Sequence, residues 1–162
     1  KYLIESIERI LSYRRDILVY IGGIGPLREK LELQIRDLNL KDYIKFIGFI
    51  PDEFISTWIN ACDLFVFPSL SESFGIVQIE ALACGTPVVT YNTGGSPESI
   101  DFEKGRVVPK GNILALKEAI MELIAQDQKV LSTHCRNRAE MLYDSNNKYQ
   151  EYLNLYGSII GN

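Results

Sequence analysis

The chain has 162 residues, 46% of them hydrophobic and 23% charged. That is enough for one domain with a real core, and ordinary for a soluble globular protein. Its net charge of −4 and the absence of any Lys/Arg run exclude a basic field for nucleic acid.

No apolar stretch reaches membrane-spanning length, and no signal-peptide pattern opens the chain. Cys62, Cys84 and Cys135 are odd in number and widely spaced, and His134 stands alone. Neither a disulfide framework nor a CxxC metal site follows from them, and the expectation is a reducing cytoplasmic setting without structural metal. There is no opening Met, and Lys1 already lies within a helical pattern. Residues 1–162 are therefore expected to form one domain cut from a longer chain.

Leu3, Ile4, Ile7, Ile10 and Leu11 recur at helical spacing and predict an opening amphipathic helix. The run Ile17 to Ile21, closed by Gly22-Gly23, reads as a buried parallel strand. Pro26 suits the first turn of a helix reaching about Asn39. Ile44 to Ile47 is a second strand, stopped by Gly48. Pro51-Asp52-Glu53 opens a helix to about Ala61, and Leu64 to Phe67 is a third strand. A helix from about Ser73 to Ala83 follows, with Gly85 at its C-terminal cap. Pro87 to Thr90 is a fourth strand, Ser96-Pro97-Glu98 starts a short helix, and Arg106 to Val108 is a fifth strand. Helices near 112–126, 128–142 and 145–158 close the chain. This alternation predicts an α/β domain with a Rossmann-like parallel sheet covered by helices on both faces.

In such sheets ligands bind beyond the carboxyl ends of the strands. The loops to inspect are Gly22-Gly23-Ile24-Gly25, Gly48-Phe49, Pro68 to Gly75, and Asn92 to Gly95. They are small and polar, so backbone amides can approach a ligand, and two of them lead into helix N-termini that favour phosphate. The stretch S-E-S-F-G-I-V-Q-I-E carries Glu72 and Glu80 with seven residues between them. If the helix begins near Ser73, the amides of Phe74, Gly75 and Ile76 face a diphosphate. Glu72 then lies just outside the helix end, and Glu80 roughly 10 Å further along. A carboxylate suits a vicinal diol, so the pattern fits a sugar at Glu72 and a ribose at Glu80, hence a nucleotide-sugar. The plainer alternative makes Glu72 a helix-dipole partner and Glu80 a solvated helix residue. The apolar neighbours Val77, Ile79, Leu82 and Ala83 weigh against it, because an unpaired carboxylate buried among them would be costly.

The run P-S-L-S-E-S-F-G-I-V-Q-I-E-A-L-A-C-G-T-P-V-V, followed by T-G-G-S-P-E-S-I, resembles the C-terminal domain signature of family 4 glycosyltransferases, retaining enzymes of the GT-B fold. The matching features are Glu72, Glu80, Gly85-Pro87-Val88, and Gly94-Gly95 with Glu98. Gly22-Gly23-Ile24-Gly25-Pro26 and Ile47-Gly48-Phe49 are similar to the family's two glycine loops, and Asp144 to Tyr156 to its closing helix.

The resemblance implies that Glu72 contacts the donor sugar near the reaction centre. It implies that the Ser73–Val77 segment meets sugar and diphosphate through the amides of Phe74, Gly75, Ile76 and Val77. Glu80 is implied as the ribose ligand, Phe49 as the residue beside the base, and Gly22, Gly23 and Gly25 as lining the same crevice. Gly94 and Gly95 are expected to shape its wall.

The family's diphosphate-binding Arg and Lys lie upstream of the helix that Tyr2-Leu3-Ile4-Glu5 matches, on and after a strand that would be central in the sheet. That strand and the acceptor-binding N-terminal domain are expected in the parent chain. The resemblance thus implies the donor half of an enzyme, inactive or nearly so alone. No cofactor beyond the nucleotide-diphosphate sugar substrate is implied, and no metal, since the cationic groups do a metal's work. Many relatives act on lipid-linked acceptors, which leaves a peripheral membrane contact of the parent open, although Arg14-Arg15 is too little charge to argue it.

Rival readings are a dinucleotide-binding dehydrogenase domain, a non-catalytic nucleotide-sugar-binding or interaction module, and another GT-B enzyme such as an epimerase or phosphorylase. Against the first, Arg28 replaces the third small residue, and the next strand ends in Gly48-Phe49 instead of an acid. The Glu98 loop favours the transferase over other GT-B enzymes.

Overall fold

A computed structural model describes residues 1–100 and 105–161. The elements alternate as expected: α1 (Tyr2–Ile10), β1 (Val19–Gly22), α2 (Arg28–Asp37), β2 (Ile44–Gly48), α3 (Asp52–Asn60), β3 (Phe65–Phe67), α4 (Ile76–Ala83), β4 (Val88–Tyr91), α5 (Ser96–Ser99), β5 (Gly105–Val108), α6 (Ile113–Ile124), α7 (Gln128–Tyr143) and α8 (Ser145–Ile160). Every strand pair is parallel. Parallel neighbours need a crossover, and the intervening helices supply it.

The strands alternate between two apolar clusters, which puts helices on both faces. Val66, Val89, Tyr91 and Val108 join Ile4, Ile7 and Ile10 of α1 and Leu116, Ile120 and Leu123 of α6. Phe65, Val88 and Val107 join Ala81 and Leu82 of α4 and Cys135 and Ala139 of α7. A period of two along each strand thus sorts successive side chains to opposite layers. β4 lies between β3 and β5, with Val88 opposite both Phe65 and Gly105, and all four of its residues are buried.

The sheet differs from expectation in one respect. It falls into two ladders, β1-β2 and β3-β4-β5. Both feed one core, because Val19 and Ile21 of β1 pack against the cluster that holds Val66 and Val89. β1 and β3 therefore each keep one edge without a strand partner among the described residues.

Side-chain caps fix the later helices. Asn112 accepts from Ala115 N–H at 3.0 Å, Asp127 from Lys129 N–H at 2.9 Å, and Asp144 from Asn147 N–H at 2.9 Å, each contributing about 1 kcal/mol. After α4, Gly85 (φ 80°) donates to the Leu82 carbonyl and Thr86 N–H to that of Ala81, the expected glycine stop.

Candidate functional site

The glycine turns after β1 and β2 are joined directly, since Gly23 N–H donates to the Gly48 carbonyl at 2.6 Å. Gly22, Gly23, Gly25 and Phe49 are all exposed there. Phe49 is 66% exposed, and Ile24 and Leu27 beside the turn are 74% and 62% exposed. Three exposed apolar side chains around a bare backbone turn form a surface on which a flat ring can rest.

After β3 the chain runs as a loop through Glu72, Ser73 and Phe74 to Gly75. α4 begins at Ile76, not at Ser73 as the sequence suggested. The reason is Gly75, which caps the helix in the left-handed conformation, φ 82° and ψ 51°. An added Cβ would collide with the Gln78 side-chain amide, so only glycine serves here. Ser73 and Phe74 thus belong to the loop, and Ile76 and Val77 form the first turn. α4's own bonding opens with Gln78 N–H to the Gly75 carbonyl at 2.9 Å. The amides of Ile76 and Val77 precede it, at the positive end of the helix dipole.

The two glutamates sit differently. Glu72 is half-buried, and its Oε1 accepts the amide hydrogen of Ser73 at 2.9 Å. Glu80, one turn into α4, is exposed. Ala81 and Leu82 turn inward, and the carboxylate stands in solvent on the outer face, so the cost of burying it among apolar neighbours does not arise. That exposure agrees with a solvated helix residue in the unliganded chain, and equally leaves the carboxylate open to a ligand.

A second loop holds the first. The Thr93 hydroxyl donates to the Ser69 carbonyl at 3.2 Å, and Gly95 N–H to that of Ser73 at 2.9 Å. A Cβ on Gly94 (φ 52°) would overlap the Glu72 carbonyl, so the Gly94-Gly95 turn lies flush against the backbone of Glu72 to Phe74. Beneath it Gln78 and Ser96, both 0% exposed, share a hydrogen bond from Nε2 to Oγ of 2.8 Å. Gln78 Oε1 has no partner among the described residues. Sequence reading missed this pair. The signal was there, since Gln78 shares the helical face of Ala81 and Leu82. It also missed Tyr143, whose ring meets Phe74 edge-on with centroids 6.3 Å apart. Burial pushes the Tyr143 hydroxyl pKa up.

A concavity lies elsewhere, between α2 and β2. It measures about 530 Å³ and is lined by Arg28, Glu32, Arg36, Lys41, Ile44 and Phe46, among others. Arg28 pairs with Glu32 at 2.8 Å and covers the Phe46 ring at 5.5 Å. The Arg28 guanidinium is thereby engaged. Among the described residues no cluster of three or more His, Cys, Asp or Glu could hold a metal ion. No helix there is long and apolar enough to cross a membrane.

Residues 1–141 match the model of the family described as glycosyl transferases group 1. The chain belongs to that family. A 2-deoxystreptamine N-acetyl-D-glucosaminyltransferase from Niallia circulans is 30% identical over 146 residues, which is 88% of this chain and 38% of the relative. The Anabaena protein HepE, solved with UDP and also with UDP-glucose, superposes with a TM-score of 0.85 at 26% identity. The match takes in 97% of this chain and 44% of HepE. The C-terminal domain of a Francisella tularensis group 1 glycosyl transferase, solved by itself, gives 0.77 at 26% identity, covering 89% of this chain and 78% of that one. The α/β fold is that of GT-B glycosyltransferases. The chain spans less than half the length of the curated relative and of HepE.

Proposed function

We propose that this group 1 glycosyl transferase chain is the donor-binding half of a two-domain enzyme. The enzyme moves a sugar from a nucleotide-diphosphate sugar to an acceptor with retention of anomeric configuration. The observation that carries this reading is the left-handed Gly75 cap followed by the first-turn amides of Ile76 and Val77, set between Glu72 and Glu80. A diphosphate at that helix start meets N–H donors and a favourable dipole. Glu72 then receives the sugar hydroxyls and Glu80 the ribose diol, and the base rests on Phe49 near Gly22, Gly23 and Gly25. Binding of UDP and UDP-glucose by HepE makes a uridine donor the first to test.

Hydrolysis by the two glutamates fits poorly, because a retaining glycosidase pair stands about 5 Å apart across one bond. The two residues here are separated by the loop and a turn of α4. Attack on the same face as the departing diphosphate needs no enzymic nucleophile. Rate then comes from positioning and from stabilising charge on the leaving group. The α4 amides supply part of that charge, and an upstream Arg and Lys of the parent supply the rest. The parent's preceding residues also supply the central strand between β1 and β3, whose free edges await it, and an acceptor domain.

Calorimetry of UDP, GDP, ADP and their sugars tests this reading. Selective binding of one nucleotide, weakened about tenfold or more by Glu80→Ala through loss of charge-assisted hydrogen bonds, is the expected result. Equal affinity in the Glu80→Ala variant contradicts the ribose role.

A further inference from the structure

The loop before α4 has no regular structure of its own, so its shape is set from outside. The Gly94-Gly95 turn supports its backbone, and the Gln78–Ser96 hydrogen bond lies beneath Gly75. A third support comes from far along the chain. Tyr143 is the last residue of α7, two positions beyond the segment that matches the family model. Its ring stands edge-on to that of Phe74, with an interplanar angle of 83°. On another side of Phe74, a Cβ on Gly95 would come within 3.3 Å of the ring atom Cδ2. Phe74, 43% exposed, is thus in contact with both Gly95 and Tyr143.

We propose that Tyr143 is a positioning residue for the nucleotide-sugar site: it fixes Phe74, and through Phe74 the aim of the α4 amides. The proposal rests on the donor-binding reading above. Phe74 immediately precedes Gly75, whose φ of 82° sets the entry into α4. Rotation of the Phe74 side chain and backbone would turn Gly75 and redirect the first-turn amides that face a diphosphate. Tyr143 acts through ring-to-ring contact, which is directional because the positive edge of one aromatic ring seeks the negative face of another. Asp144 next to it ends α7 and caps α8, so Tyr143 sits at the joint of two helices. α8 has no buried residue, and its Tyr149, Tyr152 and Tyr156 are exposed. Tyr143 thus lies on one path from α8 to the donor loop.

The test compares Tyr143→Leu with Tyr143→Phe in the full-length protein. UDP and UDP-glucose are the probes, and amide hydrogen exchange without nucleotide is the second readout. Loss of an aromatic pair predicts that Tyr143→Leu weakens UDP binding about fivefold, while Tyr143→Phe, which keeps the ring, stays within about twofold. Exchange at Phe74 to Val77 speeds by about the same factor in Tyr143→Leu, and β1-β2 amides do not change. Equal UDP affinity and equal exchange at Phe74 to Val77 in the two variants overturn the proposal, whatever their thermal midpoints. If the wild-type protein binds no nucleotide, the donor-binding reading fails, and with it the proposed role of Tyr143 in that site. The exchange comparison then still reports whether the ring holds the loop.

Discussion

The two ladders of this domain are built to different standards. β4 is flanked on both sides and buried at all four positions. β1 has one partner and alternates between half-buried and exposed. The loop with Glu72 and Gly75 leaves β3, the half-buried neighbour of β4, and the turns with Gly22, Gly23, Gly25 and Phe49 leave β1 and β2. A group that must aim several amides at one diphosphate needs rigid support. A ring-stacking surface such as Phe49 tolerates more play, because stacking is less exacting than hydrogen bonding. The half that performs the stricter task is the half that holds a fully buried strand paired on both sides.

The largest expected effect is on the well-paired side. Leu82→Ala empties a fully buried site in α4 and is expected to cost about 2–5 kcal/mol. Ile21→Val in half-buried β1 is expected to cost at most about 1 kcal/mol, and denaturant titration of both compares the ladders directly. Next is Gly75→Ala. Its forced left-handed backbone, together with the collision at Gln78, is expected to cost about 1–3 kcal/mol. It should also abolish measurable UDP binding, read by calorimetry below the variant's melting point. Retained UDP affinity in that variant would detach the α4 start from the ligand.

Smaller effects probe the rest of the well-paired layer. Tyr91 ends β4 fully buried, and its hydroxyl has no partner among the described residues. Tyr91→Phe removes an unsatisfied polar group and is expected to stabilise by about 1 kcal/mol. Burial also pushes the Tyr91 pKa up to about 12 from 10.0. The neutral phenol is thus favoured in the fold, and this contribution is present below pH 10 and lost as pH rises towards about 12. Tyr91→Phe should flatten that alkaline decline. On the acid side, Arg106 of β5 donates to Glu122 of α6 at 2.6 Å and lowers its carboxyl pKa. That stabilisation is present above the ordinary glutamate range and disappears as pH falls through the lowered value. The Glu122 side chain is 48% exposed, so Glu122→Gln is expected to change acid unfolding only slightly.

Much of this molecule was legible in its sequence. The run Leu64-Phe65-Val66-Phe67 announced β3, and Ile4, Ile7 and Ile10 announced the helix face now fully buried. The glutamate spacing pointed to the loop between β3 and α4, where the proposed site lies. The α4 start was misread by three residues because the left-handed backbone of Gly75 is a tertiary choice, made against Gln78 and the Gly94-Gly95 turn. The exposure of Glu80 could not be read from its apolar neighbours, because Leu82 turns inward while Ala83, one turn from Glu80 on the same side, is itself exposed. The break between ladders could not be seen locally, since strand pairing joins residues far apart in the chain. Tyr143 was hidden for the same reason, because its contact with Phe74 spans most of the domain's second half.

The most direct measurement is a map of backbone amide shifts as UDP and then UDP-glucose are titrated into the protein. The account predicts that the responding residues are Phe74 to Val77 and Glu80 on one ladder, and Gly22 to Gly25 with Phe49 on the other. UDP-glucose should add Glu72 and Ser73. Shifts confined to the α2–β2 concavity, at Arg28, Glu32, Arg36 and Lys41, would contradict it.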